Sequence, residues 1–249
     1  MFKKLFRKLF GDSVASRLRS VDPDRWEASL LNRVREMSAD DPLAGAKIGG
    51  KELAARLIEV IKSNGGVHVE SLMCAAGALA GYACQAAVRA NNRANCREEL
   101  FGLHIASTDD GQDFLFGDPL NAFIAEAQYS IWSLTAGGAK SNGCKSLPDI
   151  NPIFEHVANT IGTTDFGVPH LPEEHPVHEQ PYAYLERFWL QFQPMVERFC
   201  SNPDHWPILY GFAIQDLLSK TKGILDPCIS AKIVMESAVP MSKVQRRNT

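Results

Sequence analysis

The chain has no C-x-x-C pair, no G-x-S-x-G elbow, no glycine-rich dinucleotide fingerprint and no repeat of fixed period. The first absence sets aside zinc ribbons and thioredoxin-type redox motifs. The second and third set aside α/β-hydrolase and dinucleotide-binding signatures. The last sets aside a solenoid. Residues 1–15 lack an uninterrupted apolar stretch, so no secretory signal is read there. Without such a signal, Cys74, Cys84, Cys96, Cys144, Cys200 and Cys228 are expected to be unpaired thiols. Several sit on apolar helical faces as small hydrophobes, in a reducing, cytoplasmic compartment.

What is present is ordinary for a globular chain. Of 249 residues, 45% are hydrophobic and 22% charged, enough for a sizeable core and too apolar for disorder. The charge is uneven. Residues 1–10 carry four cations and no acid, and residues 243–249 carry three. The net charge of −3 therefore leaves −10 on residues 11–242. Such an acidic body would repel phosphate, so nucleic acid is not expected as a partner.

The pattern predicts a mainly α fold around a buried central helix at about 67–90. Ser71 to Val88 contains no formal charge and has small or apolar residues on every side of a helical wheel. A helix apolar all round is buried. Gly77 and Gly81 form a small-xxx-small stripe, extended by Cys74, Cys84 and Val88, that lets another backbone come close. The run is short of about 20 residues, rich in Ala and interrupted by Gln85, so helix packing is preferred to a membrane span.

Asx-Pro pairs punctuate the chain at Asp22-Pro23, Asp118-Pro119, Asn151-Pro152, Asn202-Pro203 and Asp226-Pro227, each supplying a capping oxygen and a preset φ for a helix start. Asp41-Pro42 reads as a turn. Further helices are expected over 22–37, 51–63, 118–136, 149–161 and 182–199, with a last pair over 207–220 and 227–237. Pro194 is expected to kink or break its helix near Leu190. FGLHIAS and DFLFG, joined by residues 108–112, suit one small β-hairpin at about 101–117. The domain reading is a basic amphipathic segment over 1–20, a single helical domain over 21–242, and a basic, frayed tail over 243–249.

Three stretches carry candidate function. In FKKLFRKLF, Phe2, Leu5, Phe6, Leu9 and Phe10 fall on one helical face and Lys3, Lys4, Arg7 and Lys8 on the other. This is the pattern of a helix lying on an anionic membrane surface or docking on a protein partner, or of one folded back on the body. The irregular stretch 162–182 gathers His170, Glu173, Glu174, His175, His178 and Glu179. Imidazole and carboxylate suit a divalent metal, with His170, His175, His178 and Glu174 as the ligand set and Asp165 and His156 as further candidates; a solvated charged loop is the plainer reading. No cofactor beyond such a metal is expected. His178-Glu179-Gln180-Pro181-Tyr182 falls one ligand short of a zincin motif. Gly138 to Ser146 resembles a P-loop, but Cys144 stands where its Lys belongs. Finally, Tyr184, Trp189, Trp206 and Tyr210, within the aromatic-rich 182–212 stretch, suit either plain core or a ligand pocket. The sequence therefore supports, first, a non-catalytic interaction protein that touches a membrane or partner through residues 2–10. Beside it stand a metal-dependent hydrolase using the 165–182 loop and a small-ligand binder with an aromatic pocket.

Overall fold

The computed structural model describes residues 23–109 and 111–246. The amphipathic segment, Phe2 to Phe10, and the end of the basic tail lie outside the described residues. Eight helices of nine residues or more are present among them: α1 (Pro23–Met37), α2 (Ala44–Ile61), α3 (Val69–Ala94), α4 (Ile131–Ser141), α5 (Asn151–Asn159), α6 (Pro181–Phe199), α7 (His205–Lys220) and α8 (Pro227–Met241). A two-stranded antiparallel hairpin, β1 (His104–Ser107) and β2 (Asp113–Phe116), pairs His104 with Phe116 and Ser107 with Asp113.

Helix α3 is the axis of the molecule. From Ser71 to Gln85 every residue is buried. Among the described residues it is the one helix long and apolar enough to cross a membrane, yet 94% of that window is buried inside the protein. The small-residue stripe faces α8. A Cβ at Gly77 would run into the Val234 carbonyl, and one at Gly81 into the Ala238 carbonyl. Two backbones therefore touch, which only glycine allows. Helices α6 and α7 pack on the other sides of α3, and α2 packs on α7.

Four expectations about boundaries need correcting. Helix α2 starts at Ala44, ahead of the start expected at Lys51, and so takes in Gly49-Gly50. Those glycines lie inside the helix because α7 presses on them: a Cβ at Gly50 would come within 2.8 Å of Phe212 Cβ and 2.9 Å of the Leu209 carbonyl. Packing against a neighbour overrode their local preference. Second, the long helix expected from Asp118 is broken. A single turn over Asp118–Asn121 widens into a π-helical turn over Ala122–Glu126, and α4 restarts at Ile131. Ser130 makes the new start, accepting from the Ser133 amide. Third, α6 runs through Pro194 to Phe199 without interruption.

Fourth, the tail does not fray at its start. Pro240 lies inside α8, Lys243 is 3% exposed and Val244 1%. The Leu115 amide donates to the Lys243 carbonyl at 2.8 Å, and Gln245 N–H donates to the Asp113 carbonyl at 3.3 Å. The segment thus runs along β2 and covers an edge the hairpin would otherwise expose.

The reading of all six cysteines as unpaired thiols is also overturned. Cys144, after α4, and Cys228, in the first turn of α8, form a disulfide with Cα atoms 5.1 Å apart across a sequence separation of 84. Neither cysteine shows this locally, because the pairing depends on the fold. Cys74, Cys84 and Cys200 are buried free thiols, as their apolar helical faces suggested. Burial pushes Cys74 and Cys200 up to about 12, so they stay protonated and inert.

Candidate functional site

The long irregular connection between α5 and α6 is the part of the molecule with concentrated chemistry. It lacks helix or strand because Pro169, Pro172 and Pro176 interrupt it, and side chains fasten it to the body. Near its middle, the His170 amide donates to Glu236 Oε2 on α8 at 3.2 Å, and the His170 ring lies 3.8 Å from the His156 ring on α5. Burial pushes the Glu236 carboxyl above its ordinary range; the His170 amide, then Lys232 and the two imidazoles, pull it back. Near the end, His178 stacks on His68 with ring centroids 3.9 Å apart and planes 19° apart. The His178 amide donates to Ser71 Oγ at 3.1 Å, and His175 Nδ1 lies 3.1 Å from Glu70 Oε1.

His68 caps α3, with its Nδ1 accepting from the Ser71 amide at 3.3 Å and lying 2.9 Å from Ser71 Oγ. An imidazole thus does the work usually done by a Ser, Thr or Asp oxygen. That role needs a lone pair on Nδ1, so the neutral ring carries its proton on Nε2, which faces Glu70 Oε2 at 3.6 Å. Burial first, and then the neighbouring His178, hold His68 below the ordinary imidazole range, against the pull of Glu70. Ser71, at 2% exposed, is a junction of this network and is closed to a substrate.

The expected metal ligands do not converge. His170 belongs with His156 and Glu236, while His175 and His178 lie in a second cluster, His175 on Glu70 and His178 on His68, which itself faces Glu70. Glu174 is exposed. No group of three or more His, Cys, Asp or Glu side chains is arranged to hold a metal among the described residues. Glu179 is engaged by Arg187, which grips both its oxygens at 2.9 and 2.7 Å. Gly138 to Ser146 is no phosphate loop, since Gly138 lies inside α4 against Leu218 and Cys144 is in the disulfide.

The four aromatic pocket candidates are core. Tyr184, Trp189, Trp206 and Tyr210 are all buried within the main hydrophobic cluster. Trp189 stacks on Tyr210 at 6.4 Å and meets Tyr82 edge-on at 4.6 Å. Trp206 Nε1 donates to the Cys200 carbonyl at 2.9 Å.

A cleft of 490 Å³ lies elsewhere, beside the two ends of the α5–α6 connection. Residues 162–167 form one wall, with Thr163, Thr164 and Phe166; Gln180 and Tyr182 form the next at the start of α6. Gln112 and Phe114 come from the hairpin, Met241 from the end of α8 and Val244 from the segment after it. Phe114 and Phe166 meet edge-on at 4.6 Å. Gly167, at φ +75°, lies against Met241, whose Cε is 3.2 Å from where a Cβ would be. The lining carries aromatic, aliphatic, hydroxyl and amide groups and, among the described residues, no charged side chain.

Of the cleft, the sequence marked the long 162–182 stretch and the hairpin, but as separate features. Met241 and Val244 lie far from Phe114 in the chain, and nothing local joins them to it. Comparison with family models, with curated proteins and with solved structures gave no match to this chain.

Proposed function

We propose that this protein acts by binding, holding a small uncharged ligand with an aromatic or aliphatic part in the cleft between the hairpin, the 162–167 loop, the start of α6 and the end of α8. The carrying observation is the cleft itself. Its 490 Å³ falls in the size range of small-molecule sites, about 300–1,000 Å³, which are mostly apolar with a few placed polar groups. Phe166, Phe114, Met241 and Val244 supply apolar surface; Gln112, Thr163, Gln180 and Tyr182 supply hydrogen bonding. An uncharged lining would leave a buried ligand charge uncompensated, which disfavours ionic ligands.

Titration with N-phenyl-1-naphthylamine, a neutral aromatic fluorophore, tests this. Wild type should bind it saturably, one to one. Thr164→Trp, an exposed position on the cleft wall, should weaken binding at least about tenfold, since a filled pocket readily loses 1.4 kcal/mol. Equal binding by both proteins would contradict the assignment.

A second reading rests on the pattern of residues 2–10, which fits contact with an anionic membrane surface or a protein partner, the role first drawn from the sequence. Each cation near an anionic leaflet adds about 1 kcal/mol, screened by salt. Full-length protein should pellet with phosphatidylserine vesicles at low salt, and a chain lacking residues 1–11 should not; equal pelleting would sink this reading. The two readings are compatible. The metal-dependent hydrolase is not carried forward, because its proposed ligands form no metal-holding group among the described residues. A cytoplasmic location, as read from the sequence, stays part of the proposal, and the Cys144–Cys228 disulfide is the observation that stands against it, because a reducing compartment keeps thiols unpaired. Thiol labelling in freshly lysed cells tests it: a reducing compartment predicts Cys144 and Cys228 labelled, and full protection of both argues for an oxidising one.

A further inference from the structure

We propose that His68 is a proton-operated latch on the α5–α6 connection, and that protonation of its Nδ1 releases the wall of the cleft. The link to ligand release rests on the cleft being a binding site; the latch itself does not.

The latch is a chain of contacts. His68 Nδ1 accepts the Ser71 amide at 3.3 Å and meets Ser71 Oγ at 2.9 Å. Ser71 Oγ accepts the His178 amide at 3.1 Å. The His178 ring stacks on the His68 ring at 3.9 Å. A proton on Nδ1 turns this acceptor into a donor, so the α3 cap faces an N–H with an N–H. The Ser71 hydroxyl can then no longer donate to Nδ1 and must accept from it, so the new N–H competes with the His178 amide for the Ser71 oxygen. The new charge also lies directly against the His178 ring, whose presence already opposes a proton on His68.

The surrounding charges bear on this step. Glu70, on the same helix, favours the proton on His68, but it is shared with His175 at 3.1 Å. Burial and His178 oppose the proton more strongly, and the net effect holds His68 below its usual range. From α6, Tyr184 hydrogen-bonds Ser71, and the Glu179–Arg187 pair closes on itself. At the connection's other anchor, His170 is faced by His156 from α5 and by Glu236 from α8, beside Lys232.

Position links the latch to the cleft. Gly167 precedes the His170 anchor by three residues, and Gln180 and Tyr182 follow the His178 anchor by two and four. Both cleft walls taken from this stretch therefore adjoin a pair of histidines in contact.

The test uses full-length protein. Amide exchange, corrected for intrinsic rate, is followed at His178 and at Ala78 in the core of α3, between about pH 7.5 and 5, the span in which imidazoles charge. His178 protection should fall at least about tenfold while Ala78 stays protected, as for a local opening. His68→Asn keeps a capping acceptor that does not titrate and should remove the fall; His68→Ser serves if Asn fails to fold. No fall in wild type, or an equal fall in either variant, overturns the latch. N-phenyl-1-naphthylamine is titrated at both ends of the range. A latch that opens with unchanged probe affinity overturns its link to the cleft. Absence of probe binding throughout overturns the ligand reading and leaves the latch standing.

Discussion

Gln85 Nε2 meets three carbonyl oxygens, those of Met241, Ser242 and Val244, at 3.2, 3.1 and 2.8 Å. The polar residue that interrupts the apolar run of α3 thus serves the orphan carbonyls at the end of α8 and fixes the segment that supplies Val244 to the cleft. Beside it Lys243 is buried, with Nζ 3.2 Å from Asn121 Oδ1 and 5.4 Å from the Phe116 ring centroid. Burial lowers its ammonium to about 8. The sign follows from proton uptake. Between about 8 and the ordinary 10.5 the unfolded chain holds a proton that the folded chain has released, so stability rises with pH there. Lys243→Met should therefore be more stable than wild type at pH 7, with the difference shrinking by pH 10; denaturant melts at both pH values check this. An advantage that grows with pH would contradict a costly buried ammonium. Tyr210 gives a second residue-scale prediction. Its hydroxyl is buried with no hydrogen-bond partner among the described residues, and burial pushes its phenol upward. Tyr210→Phe should leave the melting temperature equal or higher, since it removes an unsatisfied polar group. A loss above about 1 kcal/mol would mean that the hydroxyl has a partner.

At the scale of elements, glycine sets the closest approaches. Gly77 and Gly81 bring α3 against α8, and Gly49 and Gly50 bring α2 against α7. Gly81→Ala gains about 1 kcal/mol of helix propensity but drives a Cβ into the Ala238 backbone, and overpacking typically costs about 1–3 kcal/mol. The melt midpoint should fall; an unchanged one would show that the two helices are not in contact there. The α3 stripe was legible because its small residues repeat at helical spacing in a charge-free run. Gly49-Gly50 was misread because the same residue ends helices and admits neighbours, and only the neighbour decides. The hairpin was legible from its two apolar runs and Gly-containing loop. The strand-like path of residues 243–245 was not, because the C-terminal sequence is basic and its partner lies 130 residues earlier. His68 looked unremarkable for a similar reason: its capping role needs Ser71, but its importance needs His178, brought by the fold.

At the scale of the molecule, the disulfide fastens the start of α8 to the loop after α4. A loop of 84 residues corresponds to about 4–5 kcal/mol on the chain-entropy account. Reduction should lower the melting temperature sharply, and Cys144→Ala should match reduced wild type; no change with reductant would mean that the fold does not rely on the bond. The α8 so anchored delivers Glu236 to the connection and Met241 to the cleft, while α3 delivers His68 and Ser71. Cleft and latch are thus both products of the α3–α8 axis.

The most direct measurement is amide exchange of the full-length protein with and without saturating N-phenyl-1-naphthylamine. Added protection should fall on residues 112–114, 162–167 and 180–182, the segments that wall the cleft. Protection centred instead on α6 and α7 around Tyr184, Trp189, Trp206 and Tyr210, or none in any segment, would contradict the account.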